Sequence, residues 1–242
     1  MRLALAQTQP RRGDIDANTH DHLRFIRKAK SAGAEAVFFS ELSLTAYETT
    51  LADSLAMEIG DERLEIFEEI AAAEHITVGL GVPVRSDGGV LISMVIFQPN
   101  TPPQVYSKQL LHGDELPYFI SGRKQAVLRF EEDTLTPAIC YESMQSSHLD
   151  QALALGANLY LSSVAKKAAG LASAYAYFSS AAKNHGIMIL MVNAIGPCSG
   201  FDCSGSSAVW NREGELVGQL GEDAEGLLIF DTSDESVQLL EF

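Results

Sequence analysis

Cysteine and long apolar runs are both scarce in this sequence. Only three of the 242 residues are cysteines, at positions 140, 198 and 203, too few for a disulfide framework in a chain of this length. No apolar run reaches the roughly 18 residues of a membrane span, and the apolar stretch at residues 3–6 is too short for the core of a signal peptide. These absences predict a soluble protein of a reducing compartment, and we expect the cytoplasm.

Positive charge is also scarce. The chain has 17 Lys and Arg against 32 Asp and Glu, a formal net charge of −15. This balance argues against nucleic acid or an anionic membrane surface as a partner. The imbalance is greatest in residues 213–242, which contain nine acidic residues and no Lys or Arg. We interpret this acidic C-terminal segment as a solvated face.

The apolar pattern predicts helices alternating with strands. Residues 36–39 and 158–164 are apolar runs too short for helices and typical of buried strands. Residues 173–185 have a helical pattern that stops at Gly186. The sequence Asp87-Gly88-Gly89 separates two apolar runs and indicates a hairpin. Without a linker or repeat, we expect one domain over residues 1–242, with a mixed sheet or two sheets covered by helices.

Three chemically different side chains stand at the ends of predicted extended segments or within them. Glu41 follows the strand at 36–39, Lys108 lies within an extended segment, and Cys140 ends an apolar run. A cysteine must lose its proton to become a nucleophile. A carboxylate can accept that proton, and an ammonium group stabilises the negative charges that form. If their strands are neighbours, the three groups meet at one edge of a sheet and can perform acyl transfer.

Motifs around these residues resemble those of the nitrilase superfamily, the carbon–nitrogen hydrolases. Residues 38–47, FFSELSLTAY, resemble the motif around the family's catalytic glutamate. Residues 106–122 resemble the lysine motif with a second glutamate beyond it, and residues 139–142, ICYE, resemble the nucleophile motif. Their order and spacing fit the family, and the likeness extends from Leu3 to about Asp231.

The resemblance implies a four-layer α-β-β-α sandwich, usually dimerised. It implies Cys140 as nucleophile, Glu41 as general base and Lys108 as the cation for tetrahedral intermediates. Glu115 would orient Lys108 or assist proton transfer, and the Tyr141 backbone N–H would complete the oxyanion site. No metal or organic cofactor is implied.

The resemblance also implies a reaction. We expect hydrolysis of the non-peptide C–N bond of a small amide or N-carbamoyl compound through a cysteine thioester, in a homodimer that binds neither nucleic acid nor membrane. Further residues expected at the substrate site are Tyr47, Glu142, Ala165 and Lys166. Two alternatives stay open, namely nitrile hydrolysis on the same residues and a non-catalytic binding or assembly protein on this scaffold.

Some positions depart from the family pattern. Ser40 stands where Pro is common, and Ala46 stands where Gly is common. Glu142 replaces a frequent Asp, and either buttresses the loop or contacts substrate.

A further departure concerns substrate choice. The arginine that often follows the nucleophile motif, and can bind a substrate carboxylate, is absent from residues 144–147. Its absence predicts that simple amides are better substrates than ω-amides of dicarboxylic acids, although Lys166 or Lys167 could take its place.

Other groupings of reactive side chains are less favoured. A Cys140–His dyad is a competitor in principle, but residues 138–142 lack a glycine-flanked turn and no histidine lies in a matching motif. Cys198 and Cys203 have the wrong spacing for a zinc half-site, so we expect loop thiols. His112 lies near the lysine motif and is expected to be a helper or surface residue.

Overall fold

The computed structural model describes residues 1–242, which form fifteen strands and five α-helices. The strands are β1 (Arg2–Gln7), β2 (Ala36–Phe39), β3 (Thr77–Ser86), β4 (Gly89–Phe97), β5 (Gln104–Ser107), β6 (Leu128–Arg129), β7 (Thr134–Ile139), β8 (Leu159–Val164), β9 (Met188–Asn193), β10 (Ile195–Cys198), β11 (Phe201–Ser204), β12 (Ala208–Trp210), β13 (Leu216–Gln219), β14 (Gly226–Asp231) and β15 (Val237–Glu241). The α-helices are α1 (Ile15–Ser31), α2 (Ala52–Leu55), α3 (Glu62–Glu74), α4 (Ser146–Ala154) and α5 (Ala168–His185). Two short 3₁₀ helices cover Thr49–Leu51 and Cys140–Met144.

The strands form two large sheets and one small hairpin. The seven-stranded sheet has the order β15-β14-β1-β2-β3-β4-β5, and the six-stranded sheet has the order β13-β12-β9-β8-β7-β6. Strands β1, β2 and β3 are parallel to one another, as are β7, β8 and β9, while the outer pairs are antiparallel. Strands β3 and β4 join through the predicted turn at Asp87-Gly88. Strands β10 and β11 form the separate hairpin.

Alternation along the strands divides the core into three apolar layers. In β1, Leu3 and Leu5 face the other sheet, whereas Ala4 and Ala6 face α1 and α3. The outer face of the six-stranded sheet packs against α4 and α5. Successive side chains of a strand point to opposite faces, so a strand that is buried on both faces is apolar at nearly every position. The result is the predicted four-layer α-β-β-α sandwich.

Helix boundaries follow capping chemistry, with some shifts from prediction. Asp14 caps α1 by accepting a hydrogen bond from the Ala17 N–H at 3.1 Å. Helix α5 begins at Ala168, five residues before the predicted start, and is stopped as expected by Gly186, whose φ is 63°. None of the helices has the length and apolar character needed to cross a bilayer.

The acidic segment 213–242 is more than a solvated face. Its strand β14 pairs with β1 inside the seven-stranded sheet, and residues 227–230 of that strand are buried. The acidic side chains lie mostly in the turns around β14 and in the edge strand β15. The acidic side chains are therefore exposed or partly exposed to solvent, as interpreted from the sequence, but the segment also contributes a buried strand to the sheet.

Candidate active site

Glu41, Lys108 and Cys140 meet at one end of the sandwich, but they come from both sheets. Glu41 lies in the turn after β2 and Lys108 directly follows β5, both in the seven-stranded sheet, whereas Cys140 follows β7 of the six-stranded sheet. The condition considered from the sequence, that their strands be neighbours at one sheet edge, is not met. The groups meet because the facing sheets bring their strand ends together and because the lysine side chain is long.

A buried ion network holds Lys108 in place. Its Nζ donates to Glu41 Oε1 at 2.8 Å and to Glu115 Oε1 at 2.6 Å, and all three side chains are buried. Glu115 also accepts hydrogen bonds from the Tyr47 hydroxyl at 2.9 Å and from the His112 N–H at 2.7 Å. Buried charges persist only when they are paired and hydrogen-bonded, as here. This geometry suits the role predicted for Glu115, which is to orient the lysine.

Burial and charge adjust the proton affinities of the three groups. Burial raises the pKa of Glu41 to about 7 against the opposing effect of Lys108. Burial disfavours the charged form of Lys108, but Glu41, Cys140 and Glu115 outweigh it and raise its pKa. Burial, reinforced by Glu41, raises the pKa of the Cys140 thiol to about 12, which Lys108 and Lys166 oppose. The resting thiol is therefore protonated and needs a base, and Glu41 is a base suited to neutral pH.

The turn at Cys140 presents the sulfur to this base. Cys140 starts a 3₁₀ helix and has a φ of 48°, in the left-handed region, which costs a non-glycine residue about 1–2 kcal/mol. The Tyr141 N–H belongs to the first turn of that helix, where N–H groups lack intrahelical acceptors. Glu41 Oε2 is buried and has no hydrogen-bond partner. One carboxylate oxygen thus holds Lys108, and the other is free for a proton.

Glu142 lies behind the nucleophile, where it links two segments of the site. Its Oε1 accepts from the Tyr106 hydroxyl and from the Ile139 N–H, the latter at 2.9 Å. Its Oε2 accepts from the N–H groups of Gln109 and Leu110 at 2.7 and 3.1 Å. The carboxylate is fully buried and fully occupied. This geometry favours the buttress alternative for Glu142 over contact with substrate.

The two departures beside Glu41 have local consequences. Ala46 has a φ of 61°, a backbone conformation that glycine adopts at lower cost, which accounts for glycine being common there. The Ser40 hydroxyl is buried without a hydrogen-bond partner. Nothing in the structure explains why this chain carries these two residues.

The turn that carries Glu41 is packed tightly against Gly81. A Cβ at Gly81 would lie 2.3 Å from the Leu42 N and 2.5 Å from the Ser40 O. We expect Gly81→Ala to shift this turn, destabilising the fold by about 1–3 kcal/mol. Since a shift of about 1 Å at a reacting group can cost roughly 10²-fold in rate, kcat should fall by that order.

Urea unfolding and steady-state kinetics measure the two effects. The matched control is Gly221→Ala, because a Cβ there meets only the Glu241 carboxylate at 3.5 Å. Gly81→Ala protein with the stability and kcat of this control would show that the turn is not held as described.

A cavity of about 310 Å³ opens beside Cys140. The residues predicted for the site that line it are Tyr47, Glu115, Cys140, Tyr141, Ala165 and Lys166. Glu41, Lys108 and Glu142 do not line this cavity. No group of three or more His, Cys, Asp or Glu side chains is arranged to hold a metal ion.

Sequence reasoning missed four residues of the cavity wall, Asp114, Met144, Gly170 and Phe201. Phe201 belongs to the unrecognised hairpin β10–β11, and its ring lies 6.1 Å from the Tyr47 ring. No chemical signal distinguishes such residues in the sequence. His112, expected to be a helper or surface residue, also lines the cavity, where its Nδ1 lies 2.5 Å from Asp114 Oδ1.

The family model described as carbon-nitrogen hydrolase matches residues 2–241 of this sequence. The chain belongs to the carbon–nitrogen hydrolase family. Among curated proteins, this chain is similar to a glutamine-dependent NAD(+) synthetase from Acinetobacter baylyi, with 23% identity over 232 residues. That match covers 90% of this chain and 41% of the synthetase, so the chain spans about two fifths of the length of its curated relative.

Solved structures of an amidase from Nesterenkonia sp. AN1 resemble this chain. The NitN amidase superposes with a TM-score of 0.85 at 24% identity, covering 96% of this chain and 92% of that chain. A mutant of that amidase, with the acetamide moiety of fluoroacetamide covalently added at its active-site cysteine, has a TM-score of 0.84 at 22% identity, covering 100% of this chain and 90% of that chain. At these identities the likeness shows the fold, the α-β-β-α sandwich.

Proposed function

We propose that this carbon–nitrogen hydrolase cleaves the C–N bond of a small amide through a thioester on Cys140. The observation that carries the proposal is the buried Lys108 ammonium, held by both Glu41 and Glu115 next to the cysteine thiol. In a family of hydrolases, a carboxylate, an ammonium group and a thiol this close to one another support the roles of base, cation and nucleophile.

The groups account for both halves of the reaction. Glu41 takes the thiol proton as the Cys140 sulfur attacks the amide carbon, and the carbonyl π electrons move to oxygen. Lys108 and the Tyr141 N–H stabilise that oxyanion. When the carbonyl re-forms, the C–N bond breaks and ammonia leaves with the proton from Glu41. Water then attacks the thioester, Glu41 accepts its proton, and the sulfur leaves and regains that proton, giving the carboxylic acid and the free thiol.

Two further observations support an enzyme over a binding protein. The buried Glu41 Oε2 without a partner costs stability and is useful to a base. Mutants of the Nesterenkonia amidase carry covalent adducts at the active-site cysteine, one of them formed by Michael addition of acrylamide. Amides are therefore preferred here, with N-carbamoyl compounds next and nitriles as the alternative on the same residues.

The remaining proposals concern the state of the protein. We propose one domain over residues 1–242 that acts as a homodimer in the cytoplasm. The net charge of −15 supports the absence of nucleic-acid partners.

Ammonia release from a panel of small amides, N-carbamoyl amines and nitriles tests the proposal. We expect release from amides with a kcat/KM above that for nitriles of matched chain length. Faster release from nitriles would contradict the amide assignment. No release from any compound, together with a Cys140 thiol inert to alkylation, would favour the binding protein.

The pKa of Glu41 predicts the pH dependence. As burial raises this pKa to about 7, the carboxylate form that accepts the thiol proton is lost as the pH falls through 7. We expect kcat/KM to rise about tenfold per pH unit below this value and to level off above it. Assays between pH 5 and 9 measure this limb. An activity that is flat from pH 5 to 7 would contradict the assignment of Glu41 as the base.

A further inference from the structure

A histidine is buried beneath the turn that carries Glu41. His22 of α1 is 1% exposed, and its ring stacks on the Phe39 ring of β2, with centroids 4.0 Å apart. Its Nδ1 lies 2.7 Å from the Asn18 carbonyl oxygen, and its Nε2 lies 2.9 Å from Ser43 Oγ. Burial lowers the pKa of His22 to about 4, because an apolar environment disfavours the imidazolium ion. The ring is therefore neutral near pH 7, with both nitrogens hydrogen-bonded.

The partners of His22 determine which of its nitrogens carries the proton. A carbonyl oxygen only accepts hydrogen bonds, so Nδ1 of the neutral ring donates to Asn18 and Nε2 accepts from the Ser43 hydroxyl. Ser43 is fully buried, and its Oγ accepts in turn from the Gly81 N–H at 3.1 Å. The hydrogen bonds from His22 through Ser43 to Gly81 thus connect α1 to the Glu41 turn and to strand β3.

The turn that these hydrogen bonds hold has a costly backbone conformation. Leu42, directly after Glu41, has a φ of 51°, in the left-handed region that L-residues rarely adopt. Such a conformation persists only where the surrounding structure enforces it. The Ser43 N–H closes the turn by donating to the Ser40 carbonyl at 3.1 Å. The Ser43 side chain adds the contacts to α1 and β3, so its loss should let the turn relax.

A relaxed turn would change the surroundings of the Glu41 carboxylate. Its Oε1 lies 2.8 Å from Lys108 Nζ. Burial raises the pKa of Glu41, the ammonium group of Lys108 is the strongest effect that opposes this rise, and Glu115 and Cys140 also face the carboxylate. If the carboxylate moves away from Lys108, its pKa rises further. The pKa of the base therefore reports whether the turn is in place.

We propose that His22 is a positioning residue for the base, because its hydrogen bond to Ser43 holds the turn that keeps Glu41 within reach of both Lys108 and Cys140. This inference rests on the proposed amidase function. Neither His22 nor Ser43 belongs to the lining of the 310 Å³ cavity. They therefore affect the reaction through Glu41 and without contact with the substrate.

The experiment compares His22→Leu with His22→Gln. Leucine fills a similar volume without a polar group, whereas the glutamine amide places one near the position of Nε2 and restores a contact with Ser43. We expect His22→Leu to lower kcat about 10- to 100-fold, as for a misplaced reacting group, and to change KM less than about threefold. The acidic limb of its kcat/KM profile should move up by roughly half a pH unit or more. His22→Gln should stay within a fewfold of wild-type kcat, with its limb at the wild-type position.

Two further variants separate positioning from a general loss of packing. Ile70→Ala removes buried side-chain volume from α3 in the same apolar layer and should leave the acidic limb where it is. Ser43→Ala removes the other partner of the hydrogen bond and should reproduce the effects of His22→Leu, including where His22→Leu itself does not fold. Because both changes break one contact, their effects on kcat should not add in the double variant.

A His22→Leu variant with the kcat and acidic limb of Ile70→Ala would overturn the role of His22. So would equal losses in His22→Leu and His22→Gln, or losses that add fully in the double variant with Ser43→Ala. The lack of activity on any amide would instead count against the proposed function.

In that case, alkylation of Cys140 by iodoacetamide at pH 7, located by peptide mass, tests the positioning of the base without turnover. Slower alkylation in His22→Leu than in His22→Gln supports it, because a misplaced Glu41 takes the thiol proton less readily. Equal or faster alkylation in His22→Leu overturns it.

Discussion

Replacing Cys140 with alanine is expected to abolish amide hydrolysis and leave the fold intact. The sulfur forms the covalent bond in the proposed reaction, and no other group of the cavity can replace it. Loss of a nucleophile costs roughly 10⁴-fold or more in turnover. Cys140 is itself a non-glycine residue with a φ of 48°, so alanine at this position adds no backbone strain that the native protein lacks. Ammonia release and thermal unfolding measure the two parts of the expectation.

The matched control for this variant is Cys198→Ala. Cys198 is a buried free thiol of the hairpin β10–β11 and takes no part in the proposed chemistry. We expect its kcat to stay within a fewfold of wild type. If Cys140→Ala retained more than a few per cent of wild-type turnover, the thioester route would be wrong.

Removing the charge of Lys108 should damage both turnover and stability. In Lys108→Met, the oxyanion loses a cation, which is worth about 10²–10³ in kcat. Glu41 and Glu115 also lose the ammonium that lies between them, and leaving buried charges unpaired costs about 3–5 kcal/mol. Protonation of Glu41 relieves part of this cost, because burial raises the folded pKa of this carboxyl group above its unfolded value, so that its neutral form is favoured at low pH. The variant should therefore be less destabilised at pH 5 than at pH 8.

Urea unfolding at these two pH values, with kcat measured near neutrality, tests the role of Lys108. The exposed Lys183→Met serves as the control for a lost lysine charge. An unchanged kcat in Lys108→Met would remove Lys108 from the mechanism. Equal destabilisation at both pH values would contradict the buried ion network.

Much of the fold could be predicted from local pattern. The short apolar runs at 36–39 and 158–164 became strands β2 and β8, because a strand buried on both faces needs apolar residues throughout. The hairpin β10–β11 was missed, since Gly196, Pro197 and Gly200 resemble a loop rather than strands. Strand β15 was not predicted, since it is an edge strand of five residues, three of them exposed, without a regular apolar alternation.

Less of the site than of the fold could be predicted from the sequence. Residue type and position identified Glu41, Lys108 and Cys140 as candidates, but which strands share a sheet depends on packing that local pattern does not encode. Glu142 illustrates the limit, because its hydrogen bonds join backbone groups 32 and 33 positions away. Only the family resemblance could indicate that residues so far apart in the sequence belong to one site.

The thioester on Cys140 is tested most directly by the intact mass of the protein quenched with acid during turnover of a slow amide. We expect a species heavier by the acyl group, that is, the amide minus ammonia, with the added mass mapping to the peptide that contains Cys140. The same species should be absent from Cys140→Ala. Turnover without any such adduct, or an adduct that maps to Cys198 or Cys203, would contradict it.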